Sequence, residues 1–254
     1  MSSEAELLTL RDIRKTFGKL DALRGVSFRV GYGEIVALVG DNGAGKSTLI
    51  KIITGVHRPS AGEIYFKGAP ITVHSVRRSR ELGIETVYQE RALADQQELW
   101  RNIFAGRELT TWLGFLDVGA QKRETERLLR EHVGLTSEAI ETEAEVKSLS
   151  GGEKQGVAIG RALYFNADLI ILDEPTMGLA LKETERVLEF VKDIRRQGKS
   201  AIFIDHNIFH VYDVADRFVI LDRGRVAGEF QKSEITRDEL VTRMVQLHHT
   251  GELQ

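Results

Sequence analysis

The chain has 254 residues, 42% hydrophobic and 29% charged, which suits one large α/β domain with a sizeable core and excludes wholesale disorder. With 35 Lys and Arg against 38 Asp and Glu, the formal net charge of −3 gives no global field for nucleic acid or an anionic membrane, so partners must be recognised through local sites. No cysteine is present, which excludes disulfides, thiolate metal sites and a cysteine nucleophile.

The first ten residues, MSSEAELLTL, are acidic where a secretory signal is basic, and they read as an unprocessed amino terminus. β-rich pieces around Leu7 to Ile13, Val26 to Val30 and Glu63 to Phe66, separated by turns such as Gly31-Tyr32-Gly33, predict an antiparallel β layer. Within it, the apolar stretch Glu34 to Val39 predicts a buried strand that runs into a glycine-rich loop and a helix from about Ser47 to Thr54. From Trp100 to Leu163 the pattern turns helical. An amphipathic helix is predicted over Asp117 to Val133, stopped by Gly134, and a second one opens near Ser150. Strand Asp168 to Leu172, helix Leu181 to Gln197 ended by Gly198, strand Ser200 to Ile204, helix Asn207 to Asp216 and strand Arg217 to Leu221 then alternate. Such alternation predicts a parallel sheet flanked by helices. A capping box, Thr236 with Glu239, opens a last helix to about Leu247. The longest apolar runs, such as Leu169 to Leu172 and Phe218 to Leu221, fall far short of the ~20 residues that span a bilayer, so any membrane role is expected to be peripheral.

Gly40-Asp41-Asn42-Gly43-Ala44-Gly45-Lys46-Ser47, followed by Thr48, fits G-x-x-x-x-G-K-[ST] and sits between the predicted strand and helix, as a phosphate site requires. Its glycines let backbone N–H groups turn around phosphate oxygens, and the following helix offers the positive end of its dipole. Lys46 then reaches the β and γ phosphates and Ser47 ligates Mg²⁺. The apolar strand Leu169 to Leu172 ends in Asp173-Glu174, which places Asp173 to hold Mg²⁺ through water and Glu174 to polarise an attacking water as general base. A third element, Leu149-Ser150-Gly151-Gly152-Glu153-Lys154-Gln155, stands before a helix, where the Ser150 side chain and the N–H groups of Gly151 and Gly152 form a second anion site.

In this order the motifs resemble those of the nucleotide-binding subunit of ABC transporters, whose LSGGQ signature is matched here as LSGGE from Leu149 to Glu153. The resemblance runs from Leu8 to about Phe230. It implies ATP and Mg²⁺ as cofactors, and an ATP-dependent homodimer in which the signature of one subunit closes over the γ-phosphate held by the other. It also places Phe17 where an aromatic ring stacks on adenine. Gln89 falls where a glutamine contacts Mg²⁺ and senses the permease, and His206 where a switch histidine reaches the γ-phosphate. Three positions depart from the family pattern. Ala180 replaces the aspartate of a dimer-contacting loop, Gly156 replaces an arginine after the signature, and Asp205 replaces Ser or Thr before the switch histidine. An altered coupling between sites is expected from Ala180, and an altered potential near the γ-phosphate from Asp205.

Four stretches are similar to the sugar-uptake branch of ribose, xylose and fructose type: Leu38 to Gly55, Thr86 to Glu90, Asn102 to Glu108 and Tyr164 to Ala167. Many members of that branch carry two such domains, and this chain resembles the single-domain ones. The fold implied is a P-loop NTPase. Its RecA-like α/β core spans about residues 1–89 and 162–254 with an antiparallel β layer, and a helical subdomain is inserted over about residues 90–161. The implied task is ATP hydrolysis coupled to transmembrane permease subunits, and through them to a substrate-binding protein, at the cytoplasmic face of the inner membrane. Import of another small solute is the alternative. Leu99, Trp100, Ile103 and Phe104 either floor a groove near Gln89 that docks a permease helix or form plain helical core. An ABC ATPase acting on DNA or ribosomes is disfavoured by the lack of coiled coils, paired domains and basic surfaces, so nucleic acid is not an expected partner. A regulator without turnover is disfavoured by Glu174 and His206.

Overall fold

Alternating apolar and polar residues set the first layer of the protein. The computed structural model describes residues 6–87, 93–133 and 141–250. In it, β1 (Glu6–Phe17) and β2 (Leu20–Gly31) form an antiparallel hairpin whose inward residues Leu8, Leu10, Ile13, Val26 and Val30 are buried. β3 (Ile35–Val39) follows, buried at every position, and then α1 (Lys46–Ile53). β4 (Ala61–Phe66) and β5 (Ala69–Ile71) complete a four-stranded antiparallel sheet in the order β2-β1-β4-β5, the layer predicted from the sequence. Both strands of the hairpin are longer than predicted, because exposed polar residues such as Arg14, Thr16 and Asp21 still pair along the ladder.

α2 (Val76–Leu82), absent from the sequence reading, leads to β6 (Ile84–Val87). Then come α3 (Leu99–Phe104), α4 (Val118–Leu128), a π-wound turn over Leu129–Val133, and α5 (Gly151–Tyr164). β7 (Leu169–Asp173), α6 (Leu181–Arg196), β8 (Ser200–Ile204), α7 (Ile208–Val214), β9 (Arg217–Asp222), β10 (Arg225–Gln231) and α8 (Arg237–Thr250) follow. The second sheet runs β10-β9-β3-β8-β7-β6. β3 lies between β8 and β9 and is parallel to both, while β10 pairs antiparallel with β9 at the edge. Fully apolar runs in β3, β8 and β9 fit strands covered on both faces.

The chain forms two compact units, Met1–Thr86 with Ala167–Glu174 and Val191–Gln254, and Val87–Asn166 with Pro175–Phe190. In the first, residues of the β layer, α1 and the parallel strands join one apolar core that includes Leu10, Val26, Leu38, Leu49, Ile171 and Val219. Arg217, only 3% exposed, ties its edge: its guanidinium donates to Glu34 at 2.7 and 3.0 Å, to Glu229 at 3.0 Å and to the Arg29 carbonyl at 2.7 Å. Burial is the largest single influence and acts against that charge, but the hydrogen bonds it donates to Glu34 and Glu229 and the charges of both carboxylates together outweigh burial and hold the guanidinium above its ordinary range.

In the second unit, Leu99, Trp100, Ile103 and Phe104 are all buried, and Trp100 and Phe104 also line a cavity of about 260 Å³ with Ala94, Gln97 and Asn102. Phe104 packs edge-on against Tyr164 and Phe165 at 5.7 and 6.0 Å, so α3 and α5 share an aromatic centre. Asn102, also buried, accepts from the Ala94 N–H at 2.6 Å and donates to the carbonyls of Ala94, Gln97 and Glu98, pinning the preceding loop. Two boundaries differ from expectation because polar side chains cap rather than continue the helices. Asn207 caps α7 by accepting from Phe209 N–H at 3.0 Å, and Asp216 lies beyond the helix, accepting from Ile35 N–H at 2.9 Å. The Thr236 and Glu239 capping box opens α8 as predicted, with bonds of 2.7 and 3.3 Å. Among the described residues no helix is long and apolar enough to cross a membrane.

Candidate nucleotide-binding site

The loop between β3 and α1 is closed down onto its surroundings. Gly40 has φ +148°, and a Cβ there would lie 2.1 Å from the Leu221 carbonyl oxygen; at Gly45, φ +108°, it would lie 2.8 Å from Leu23 and 2.9 Å from the Ala22 oxygen. Only glycine tolerates either place. Gly45 is also the N-cap residue of α1, and no side chain caps that helix end, so its dipole and leading N–H groups are left for an external anion. Asp41 and Ala44 close a turn within the loop, Ala44 N–H to Asp41 oxygen at 3.1 Å.

Lys46 is 8% exposed, and its ammonium donates to the Gly40 carbonyl at 2.5 Å and the Asp41 carbonyl at 3.0 Å. Burial lowers its pKa, against the opposing pull of Glu174, Asp41 and Asp173. The result is a poorly solvated cation held by loop carbonyls, which gains from a phosphate partner. Asp173 ends β7 with its carboxyl raised by burial first and by neighbouring Glu174 second, while Lys46 pulls it down. Glu174 stands in the left-handed region at φ +53° and is pinned there by its N–H donating to the Ile204 carbonyl at 2.8 Å. Such strain is typical of residues held for a task. Its carboxylate is 2.7 Å from Nε2 of His206, so the base and the switch residue predicted from the sequence are in contact.

One cleft of about 530 Å³ gathers Phe17, Asp41, Asn42, Gly43 and Gly45 with Lys46, Ser47 and Thr48, and closes on Asp173, Glu174 and His206. Ser47 is exposed to it. Phe17, 42% exposed, is edge-on to His57 at 5.3 Å, with the Lys15 ammonium 4.9 Å from its ring centre. Leu20, Arg24 and Arg223 also line the cleft and were not foreseen, since each comes from a turn or strand with no motif of its own. Asp205, beside His206, accepts from Asn207 N–H at 2.8 Å and lies 3.6 Å from His210, so its carboxylate helps to shape the turn before α7. Gln89, assigned to catalysis and to Mg²⁺, lies outside the described residues. No group of three or more His, Cys, Asp or Glu suited to a metal occurs among the described residues.

The signature residues Ser150, Gly151, Gly152 and Glu153 belong to the second unit and open α5 with a complete capping box. Ser150 Oγ accepts from Glu153 N–H at 3.3 Å and Glu153 accepts from Ser150 N–H at 2.9 Å. Their glycines have a packing reason that the motif alone does not reveal. A Cβ on Gly151 would lie 2.5 Å from Leu179, and one on Gly152 would lie 2.9 Å from Cβ of Glu183. Gly152 N–H donates to Glu183 at 3.3 Å. Gly156 is buried along the same helix.

A family model described as ABC transporter matches residues 23–177. The xylose/arabinose import ATP-binding protein of Sulfolobus acidocaldarius is 42% identical, covering 93% of this chain and 92% of that protein. The fructose import ATP-binding protein of Rhizobium meliloti is 40% identical, covering 95% of each. Among solved structures, a nucleotide-free ATP-binding cassette from an ABC transporter superposes with a TM-score of 0.80 at 25% identity, over 96% of this chain and 98% of that one.

Proposed function

Because this chain belongs to the ABC transporter family, we propose that it is the ATP-hydrolysing subunit of an importer for a monosaccharide. The observation that carries the reading is the single cleft in which a glycine loop, buried Lys46, Asp173 and the Glu174–His206 pair face one another, with Phe17 at its rim. Adenine stacks on Phe17, the loop and Lys46 receive the phosphates, and Glu174 takes the proton of the attacking water while His206 holds the γ-phosphate end. Ser47 and Asp173 offer hard oxygen donors from one wall of the cleft, a donor set that suits Mg²⁺ when phosphate and water complete its shell; Gln89 is the third protein contact in this reading. Bound there, Mg²⁺ supplies charge neutralisation at the β and γ phosphates.

Two copies complete the machine: Ser150, Gly151 and Gly152 of one close over the nucleotide held by Lys46 of the other. Closure and release drive transmembrane permease subunits, with a substrate-binding protein delivering the solute, at the cytoplasmic face of the membrane. The sugar assignment is supported by relatives whose names state xylose/arabinose and fructose import.

Glu174→Gln tests the composite site. Glutamine keeps shape and hydrogen bonding but removes the base, so turnover should fall by ~10²-fold or more while ATP still binds. Uncleaved ATP shared by two chains then stabilises a dimer by mass action, visible by sedimentation with and without MgATP. A variant that hydrolyses normally, or stays monomeric at saturating ATP, would falsify the composite site. Co-purification of a permease and assay of its ligand tests the sugar assignment.

A further inference from the structure

The second anion site is not empty of protein charge. Glu183, in the first turn of α6, spans two chain segments with one carboxylate: one oxygen accepts from Gly152 N–H at 3.3 Å and the other from Ala180 N–H at 3.1 Å. Its carbon stem is fixed by packing, since Gly152 leaves no room for a side chain between α5 and Cβ of Glu183. Glu183 is the third residue of α6, so its bond to the Ala180 N–H caps the start of that helix, and the Ala180 side chain has no oxygen with which to cap it in return. The N–H groups of Ala180 and Gly152, joined by the Ser150 hydroxyl, hold the Glu183 carboxyl below the usual glutamate range. A charged oxygen therefore already sits among the donors that the signature offers to a phosphate.

We propose that Glu183 is a positioning residue that stands in for the γ-phosphate in the open chain and must leave Gly152 before a second copy's nucleotide can be received. This rests on the composite-site reading given above. Two anions cannot share the same helix end without strong repulsion, so closure exchanges an internal carboxylate for the incoming phosphate. Because Glu183 also caps the Ala180 N–H, its departure loosens the Leu179 to Glu183 segment at the moment of closure. Glu183 thus links occupancy of the signature to the loop that carries the Ala180 departure, and it raises the nucleotide concentration at which the chains pair.

The test compares Glu183→Gln and Glu183→Asp in the Glu174→Gln background, by sedimentation across a MgATP series. Glutamine keeps the stem and the amide contact but removes the charge. The doubly substituted chain should dimerise at about tenfold lower ATP, a change of one decade in apparent affinity. Aspartate should keep the threshold high, and ADP affinity of the monomer should be unchanged because Lys46 is untouched. Amide exchange at Gly152 and Ala180 in the nucleotide-free Glu183→Ala monomer should rise several-fold, with no change at the loop around Lys46. A threshold that stays the same or rises in Glu183→Gln marks a plain structural cap and overturns the proposal, as does unaltered exchange at Gly152. The two readings fail separately. If Glu174→Gln dimerises with ATP and Glu183→Gln has no effect, only the stand-in role is lost. If Glu174→Gln stays monomeric at saturating ATP, the composite site is lost and the stand-in role that rests on it is overturned with it.

Discussion

At the scale of single residues, the cleft rests on two side chains whose loss should be read differently. Lys46 is the one buried lysine among the described residues, and its ammonium already prefers fixed oxygen partners to water. Lys46→Ala removes a charge-assisted contact to two phosphates, so MgATP affinity should fall by at least ~10-fold in calorimetric titration. An affinity within about threefold of wild type would remove the loop from the phosphate role. Phe17 contributes a ring face instead. Phe17→Ala should weaken ATP and ADP alike, by roughly fivefold for a stacking term near 1 kcal/mol, and a loss confined to ATP would assign the ring another task. These residues were legible because each belongs to a spaced motif or matches a family position. His57 against the Phe17 ring, and Arg24 and Arg223 along the cleft, were not legible, because they reach it only through strand pairing and turn geometry. Asp205 shows the converse. Its type suggests an electrostatic effect and gives no sign of the local bonds that its carboxylate makes to the Asn207 N–H and beside His210.

Among the elements, apolar runs were read well and partly exposed ones poorly. β3 and the runs Ala201–Ile204 of β8 and Phe218–Leu221 of β9 are uniformly apolar, and all three strands were predicted close to their observed limits. β10, with only intermediate and exposed residues, gives no period for the eye, and it exists through its ladder to β9. That edge is also where the buried guanidinium of Arg217 joins Glu34 of the turn before β3 to Glu229 of β10. Removing it leaves Glu34 partly buried without its cation and strips the Arg29 carbonyl of a donor. Arg217→Ala should destabilise the protein by about 3–5 kcal/mol in urea unfolding, with a smaller loss for Arg217→Met, which refills the apolar stem volume. Equal losses in the two variants would mean that charge pairing, and not packing of the stem, dominates at this edge. The signature helix offers a parallel lesson: Gly151 and Gly152 were read as phosphate donors, and the close approach of Leu179 and Glu183 adds a steric demand that no local pattern displays.

Across the whole molecule, every described group assigned to the adenine, phosphates and Mg²⁺ of the chain's own nucleotide, from Phe17 to His206, belongs to the first compact unit. The signature residues 150–153 and Glu183 belong to the second. On the proposed assignment a nucleotide bound to one isolated chain should make its contacts with the first unit, and the gain in stability should appear there first. Mass action sets the size. At a ligand concentration 100 times its Kd the folded state gains about 2.7 kcal/mol, provided the unfolded chain does not bind. For a domain of this length that corresponds to a rise in Tm of roughly 5–11 °C, by the scaling of about 2–4 °C per kcal/mol. MgADP is the ligand of choice, because it cannot be turned over and does not recruit a second copy through a γ-phosphate. Hydrogen exchange in the same samples should show protection of residues in the loop from Gly40 to Thr48 and in β7, with exchange across α3 and α4 unchanged. Lys46→Ala should abolish most of the shift, whereas Glu183→Gln should leave it intact, since Glu183 does not line the cleft. Should MgADP protect α3 and α4 as strongly as the loop, the nucleotide would be contacting or ordering the helical unit within a single chain, and the division of labour between the units would have to be redrawn.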